Sequence, residues 1–275
     1  MKLSVCIDAV FYRRNFIESM KDVKEVGINA FEFWSWWDKD LEKIQQTKNE
    51  LDLEISAFCT RMISLVDISK RNQYLKGLEE SIEVAKRLNC KNLITQVGNE
   101  LPNISREKQH QTLVEGLKEC VPLLERSNIT LLIEPLNTLI DHKGYYLFSS
   151  DEAFQIIEEV NSPCIKVLYD IYHQQIMEGH LIYRITHNIE KIGHFHAAGN
   201  PGRHELTTGE IHYKNIIKAI EEAGYKGYFG LEYFPIEEPI KGLKEAGLPP
   251  PFCKLPEKFY SNCYFIAYFS PWTNF

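Results

Sequence analysis

Four apolar runs in the second half of the chain end on a side chain able to grip a cation or move a proton: LLIEP at Glu134, IKVLYD at Asp170, GHFHAA at His196 and YFGLEYFP at Glu232. These ends fall 36, 26 and 36 residues apart, about the length of one strand-plus-helix unit each time. Three carboxylates and one imidazole are oxygen and nitrogen donors that suit Mg²⁺, Mn²⁺ or Co²⁺, whereas a structural zinc site would favour thiolates. Such an ion, left with open positions, would polarise adjacent carbonyl and hydroxyl oxygens and stabilise an enediolate as a proton leaves the neighbouring carbon. Glu134 and Glu232 are the expected acid/base pair, standing on opposite sides of a bound substrate, with Asp170 and His196 mainly ligands.

Further groups cluster in sequence around these ends. His173, three residues past Asp170, is placed to hydrogen-bond a substrate oxygen. Arg203 lies in the loop NPGRHE, where Pro201 and Gly202 shape a turn that aims a guanidinium at a carboxylate or hydroxyl. Glu205 is expected to orient Arg203 or His196. His194 is expected to point to the opposite face from His196, toward surrounding helices. In FEFWSWWDKDL, core packing and helix covering account for the aromatics, or else Trp34, Trp36 or Trp37 walls the mouth of a site and excludes water, while Glu32 reads as lying inside the lower barrel or paired there, with no role assigned.

Positioning these side chains requires a scaffold, and the sequence describes one. Apolar, β-branched or aromatic runs recur at Leu3 to Ile7, Ile28 to Phe33, Leu53 to Phe58, Asn92 to Val97, Ile129 to Ile133, Ile165 to Tyr169, Ile192 to Ala197 and Tyr228 to Tyr233. Segments of helical spacing lie between them, such as NQYLKGLEESIEVAKRLN and HYKNIIKAIEEAGY. Gly27, Asn89, Asn128 and Gly224 close several of these helices, where a left-handed cap forms readily. Eight near-continuous apolar strands joined by helical crossovers predict an α/β fold, a closed (β/α)₈ TIM barrel spanning residues 1–248, and no GxGxxG follows the first run to favour an open sheet. In such a barrel the reactive groups sit at the C-terminal ends of the strands, which is where the four donors fall.

Composition narrows the partners. The chain has 275 residues, 44% of them hydrophobic, enough for a full core, and a net charge of −7 that disfavours nucleic acid and acidic membrane surfaces. Seven scattered cysteines without a CxxC pair predict a reducing compartment, with five of them buried as small apolar residues. Asp8 interrupts the first apolar run, so neither an export signal nor a membrane span is expected, and a cytoplasmic location follows. Residues 249–275, rich in Pro and aromatics, read either as a poorly ordered, non-homologous tail or as a segment laid over the barrel or over a neighbouring subunit of a homo-oligomer.

Taken in order, LLIEPLN, YDIYHQQIMEGHL, GHFHAAGNPGRHEL followed by GEIHYKNIIKAI, and GYFGLEYFP resemble the hydroxypyruvate isomerase family of the xylose-isomerase-like barrels, which also include ketose 3-epimerases. The likeness runs from about residue 1 to residue 247. It implies that Glu134, Asp170, His196 and Glu232 hold the metal, that Glu134 and Glu232 are the acid/base pair, and that His173 and Arg203 contact substrate. It also implies interconversion of hydroxypyruvate and tartronate semialdehyde. One position departs from the pattern: hydroxypyruvate isomerases carry Gln where this chain has His196, and the 3-epimerases carry His. The expected activity is thus a metal-dependent isomerase of a small hydroxy-keto acid or sugar, with ketose 3-epimerase or 2-oxo-tetronate isomerase as the near alternative. An endonuclease IV-like phosphodiester hydrolase and a non-catalytic sugar-binding barrel are the remote ones.

Overall fold

The computed structural model describes residues 1–245. Eight parallel strands close in chain order into a barrel: β1 (Lys2–Cys6), β2 (Ala30–Phe33), β3 (Glu54–Cys59), β4 (Asn92–Thr95), β5 (Thr130–Ile133), β6 (Ile165–Asp170), β7 (Ile192–Ala197) and β8 (Tyr228–Leu231). Each of the eight apolar runs overlaps one strand, with ends displaced by no more than two residues. Around them lie α1 (Ile7–Val10), α2 (Phe16–Glu25), α3 (Leu41–Glu50), α4 (Arg71–Leu88), α5 (Arg106–Ser127), α6 (Ser150–Val160), α7 (Ile171–Met177), α8 (Leu181–His187), α9 (Tyr213–Glu222) and α10 (Pro239–Glu245). The expected boundary at residue 248 and the tail at 249–275 lie outside the described residues, as do Cys253 and Cys263.

Local sequence explains the alternation. In α9, Tyr213, Ile216, Ile217 and Ile220 are buried, the 3.6-residue spacing of a helix with one face on a sheet. Side chains of Asn15, Asp40, Ser105 and Ser149 accept backbone N–H bonds at the starts of α2, α3, α5 and α6. Asn89, Asn128 and Asn161 end α4, α5 and α6 with φ of 55°, 51° and 54°, and Gly27 and Gly224 carry φ of 83° and 87°. These are the left-handed caps that turn each helix back toward the next strand.

Strand alternation sorts the core into two layers. Outward residues such as Phe31, Phe33, Phe58, Leu131, Val167, Phe195 and Phe229 join the helices in one large apolar cluster. Inside the barrel, Ala57, Cys59, Ile94, Leu132 and Leu168 pack with Trp34. The β1, β2, β3 and β7 side of the interior is polar instead, with Ser4, Glu32, Ser56 and His194 all buried. Cys6, Cys59, Cys90 and Cys120 are buried, Cys164 partly so, and all five are free thiols. No described helix is long and apolar enough to cross a membrane.

Candidate active site

The C-terminal ends of β5 to β8 bring together the four donors read from the sequence. Glu134, Asp170, His196 and Glu232 are buried, and each places one ligand atom within 4.8 Å of those of the others. Asp170 divides its work: Oδ1 caps α7 by accepting from the backbone N–H of Tyr172 at 2.8 Å and of His173 at 3.2 Å, and Oδ2 lies 3.4 Å from His173 Nε2. His196 Nδ1 lies 3.5 Å from Glu134 Oε1 and 3.4 Å from Glu232 Oε2. It has no hydrogen-bond partner among the described residues, so a buried imidazole nitrogen is aimed at the carboxylates.

His196 is held from behind by Glu32. Its Nε2 lies 3.0 Å from Glu32 Oε1, while Glu32 Oε2 pairs with His194 Nε2 at 2.8 Å and accepts from Ser56 Oγ at 2.8 Å. Burial alone would raise the Glu32 pKa, but the charges of His196 and His194 outweigh it and draw it down to about 2. His194 therefore faces the barrel interior, which corrects the expectation that it points at the helices. Residues two apart on a strand share a face, and it is Phe195 between them that turns outward to Tyr225 and Phe229.

The two glutamates sit in contrasting surroundings. Glu232 Oε1 accepts from Trp34 Nε1 at 2.6 Å, and its Oε2 meets the Arg203 guanidinium. Burial pushes its pKa up, yet His196 and Arg203 together hold it well below the usual carboxylate range. Glu134 lacks the guanidinium; burial raises its pKa, and the neighbouring Glu232 and Asp170 charges add to that rise against the opposing His196.

Arg203 and His173 both line the cavity over this cluster, a space of about 290 Å³ whose walls include Trp34, Met62, Leu136 and Phe234. Gly202, with φ of 98°, and Arg203, with φ of 57°, make two consecutive left-handed residues that swing the guanidinium inward, over Tyr172 and Phe234. A side chain at Gly202 would meet the His204 ring at 2.6 Å. His173 is fully buried, and burial first, then Arg203 and His142, hold its pKa well below the usual value. Glu205 does not orient Arg203 or His196. Its Oε1 accepts from the backbone N–H of Ile236 at 2.9 Å, which ties the loop after β7 to the segment after β8. Of the three tryptophans, Trp34 walls the cavity; Trp36 donates to Ser81 Oγ on α4, and Arg61 lies over the Trp36 and Trp37 rings.

The model for the family described as xylose isomerase-like TIM barrel matches residues 20–246. The chain belongs to the xylose isomerase-like TIM barrel family. Hydroxypyruvate isomerase of Escherichia coli (strain K12) is 32% identical over 253 residues, covering 89% of this chain and 97% of its own length. A 2-oxo-tetronate isomerase of Cupriavidus necator is 37% identical over 138 residues, 50% of this chain and 53% of that protein. Among solved structures, one described as an AP endonuclease of family 2 from Brucella melitensis superposes with a TM-score of 0.85 at 26% identity, covering 90% of this chain and 98% of that one. The resemblance carried by the four motifs is borne out by this membership.

In this xylose isomerase-like barrel, several cavity residues escaped the sequence reading. Cys59, Gln96 and His142 also line the space, and Asn137 touches His173 from behind. Asn137 follows Glu134 by three residues in a segment that reads as a turn, and nothing in its spacing separates it from a turn former. Gly230 had a usable signal, an isolated glycine within a strand, which marks a close approach of neighbours. A wider surface groove of about 620 Å³ runs beside α8 and α9, away from the carboxylates, and gathers none of these groups.

Proposed function

We propose that this protein is a divalent-metal-dependent isomerase of small α-hydroxycarbonyl acids, acting on hydroxypyruvate to give tartronate semialdehyde. The observation that carries the reading is the convergence of three carboxylates and one imidazole on a common point under a cavity of about 290 Å³. That volume lies at the small end of ligand pockets and suits a molecule of a few carbons. The unpartnered His196 Nδ1 and the oxygen-rich donor set fit an Mg²⁺ or Mn²⁺ ion, which Glu134, Asp170, His196 and Glu232 would hold. When bound, the ion supplies a Lewis acid for the substrate oxygens and offsets negative charge as it grows on them.

The chain's own residues do the rest. The reaction removes a proton from the hydroxymethyl carbon, returns one to the former carbonyl carbon, and passes one from hydroxyl to carbonyl oxygen, so atoms balance without a redox partner. Glu134 and Glu232 take and return the carbon-bound protons at their carboxylate oxygens. Trp34 Nε1–H and the Arg203 guanidinium fix Glu232 in one orientation, and the guanidinium's remaining N–H groups meet the substrate carboxylate. His173 reaches a substrate oxygen from the α7 side. Trp34, Met62, Leu136 and Phe234 exclude water from the intermediate.

A second reading, ketose 3-epimerase, is favoured by His196, the residue that the resemblance assigns to epimerases at this position. An endonuclease IV type of hydrolase wants a cluster of metals held by many histidines, and here three of the four gathered donors are carboxylates. The test is to strip the protein with chelator, restore Mn²⁺ or Mg²⁺ in D₂O, and follow deuterium into hydroxypyruvate, 2-oxo-tetronate and ketohexoses. Metal-dependent exchange into hydroxypyruvate supports the proposal. Exchange confined to ketohexoses would transfer the protein to the epimerases, and no exchange into any of them would end the isomerase reading.

A further inference from the structure

His173 is buried against the cavity, and its Nε2, 3.4 Å from Asp170 Oδ2, makes no hydrogen bond among the described residues. Whether that nitrogen offers a proton or a lone pair is decided on the far side of the ring. There, His173 Nδ1 lies 2.7 Å from Asn137 Nδ2. The two ends of an amide must be told apart by their surroundings, and the backbone does this here. Asn137 Oδ1 is met at 3.0 Å by the N–H of Ile140 and at 3.0 Å by the N–H of Asp141. Backbone N–H groups only donate, so this end of Asn137 is its carbonyl oxygen.

The opposite end is then the NH₂ group, which has two protons to place. One goes to Asp141 Oδ2 at 2.7 Å, and the other faces His173 Nδ1. A neutral imidazole has one donor and one acceptor nitrogen, so an accepting Nδ1 leaves the hydrogen on Nε2. The ring has little freedom to turn away, since His142 and Tyr172 each lie with their ring centroids 5.3 Å from it.

We propose that Asn137 is a positioning residue that locks His173 as the Nε2–H tautomer, so that the cavity presents a fixed neutral hydrogen-bond donor to a substrate oxygen. The identity of that oxygen rests on the isomerase reading, while the tautomer does not. A neutral donor stabilises an oxygen that gains negative charge during proton transfer, and it needs no reorganisation when the charge arrives. With its hydrogen on Nε2, the ring has no lone pair toward the cavity, which leaves proton abstraction to the carboxylates.

The experiment is ¹⁵N NMR of the histidine side chains in the metal-loaded protein, with the His173 signals assigned by their loss in His173→Gln. The wild-type protein should show a protonated Nε2 and an unprotonated Nδ1. The paired variant Asn137→Asp with Asp141→Asn keeps an oxygen for both backbone N–H groups and an amide–carboxylate bond between the two positions, but it turns an acceptor toward Nδ1. In it the proton should move to Nδ1, and kcat for hydroxypyruvate should fall about 100-fold. A protonated Nδ1 in the wild type, or a paired variant that keeps Nε2–H, would overturn the assignment. The expected tautomers without any hydroxypyruvate turnover would count against the isomerase reading and support the role of Asn137.

Discussion

Glu32 and His196 face each other across the floor of the barrel, Oε1 to Nε2 at 3.0 Å, in space that Gly230 leaves open. A Cβ at position 230 would lie 2.3 Å from Glu32 Oε1 and 2.7 Å from His196 Cδ2. A carboxylate behind an imidazole fixes ring orientation and strengthens the nitrogen on the other side as a donor to metal. Glu32 is thereby tied to the proposed cation site without reaching it.

Glu32→Gln keeps the shape and removes the charge. The affinity for Mn²⁺ measured by calorimetry should fall roughly 10- to 100-fold, the usual cost of losing such a partner. Unchanged affinity would show that the Glu32 carboxylate does not support His196.

Gly230→Ala forces a methyl group between the same two side chains. Urea unfolding should show a loss of about 1–3 kcal/mol, the ordinary cost of overpacking a filled core. Mn²⁺ affinity should drop with it. A variant as stable as the wild type would mean that the barrel floor has slack which the contacts at Gly230 do not suggest.

Trp34→Phe removes the N–H that holds Glu232 Oε1 and keeps the apolar wall. A hydrogen bond to a charged group contributes about 1.5–3 kcal/mol, so kcat for hydroxypyruvate should fall roughly 10- to 100-fold. The urea midpoint should fall as well, because a buried carboxylate loses the same bond. A kcat equal to that of the wild type would remove Trp34 from the positioning of Glu232.

Asn128 ends α5 with φ of 51° and ψ of 49°. Asn128→Ala should cost about 1 kcal/mol in urea unfolding, because it keeps the Cβ that disfavours this backbone region and loses the short polar side chain that offsets it, while Asn128→Gly removes the Cβ and should cost a few tenths at most. Equal losses in both would point to the side chain rather than the backbone as the source of stability.

Much of this was legible before any coordinates. Strands and caps are local: β-branched runs, and Asn or Gly where a helix must turn, specify them without help from distant residues. The four donors were legible because closing the barrel places every strand end on one rim, so a regular recurrence in sequence becomes proximity in space. What could not be read depends on pairs far apart in the chain. Glu32 and His194 stand 162 residues apart and meet only across the closed interior. Glu205 reads from sequence as a partner of Arg203 or His196 because it shares their loop, but the close packing of the β7 and β8 loops gives it a backbone N–H instead. Asn137 is informative only once His173, 36 residues later, is seen against it.

The cation site carries the whole proposal, and diffraction from crystals soaked in Mn²⁺ tests it most directly. An anomalous difference map should show one peak bounded by side-chain atoms of Glu134, Asp170, His196 and Glu232. The absence of a peak there at saturating Mn²⁺, or a peak only at other residues, would contradict it.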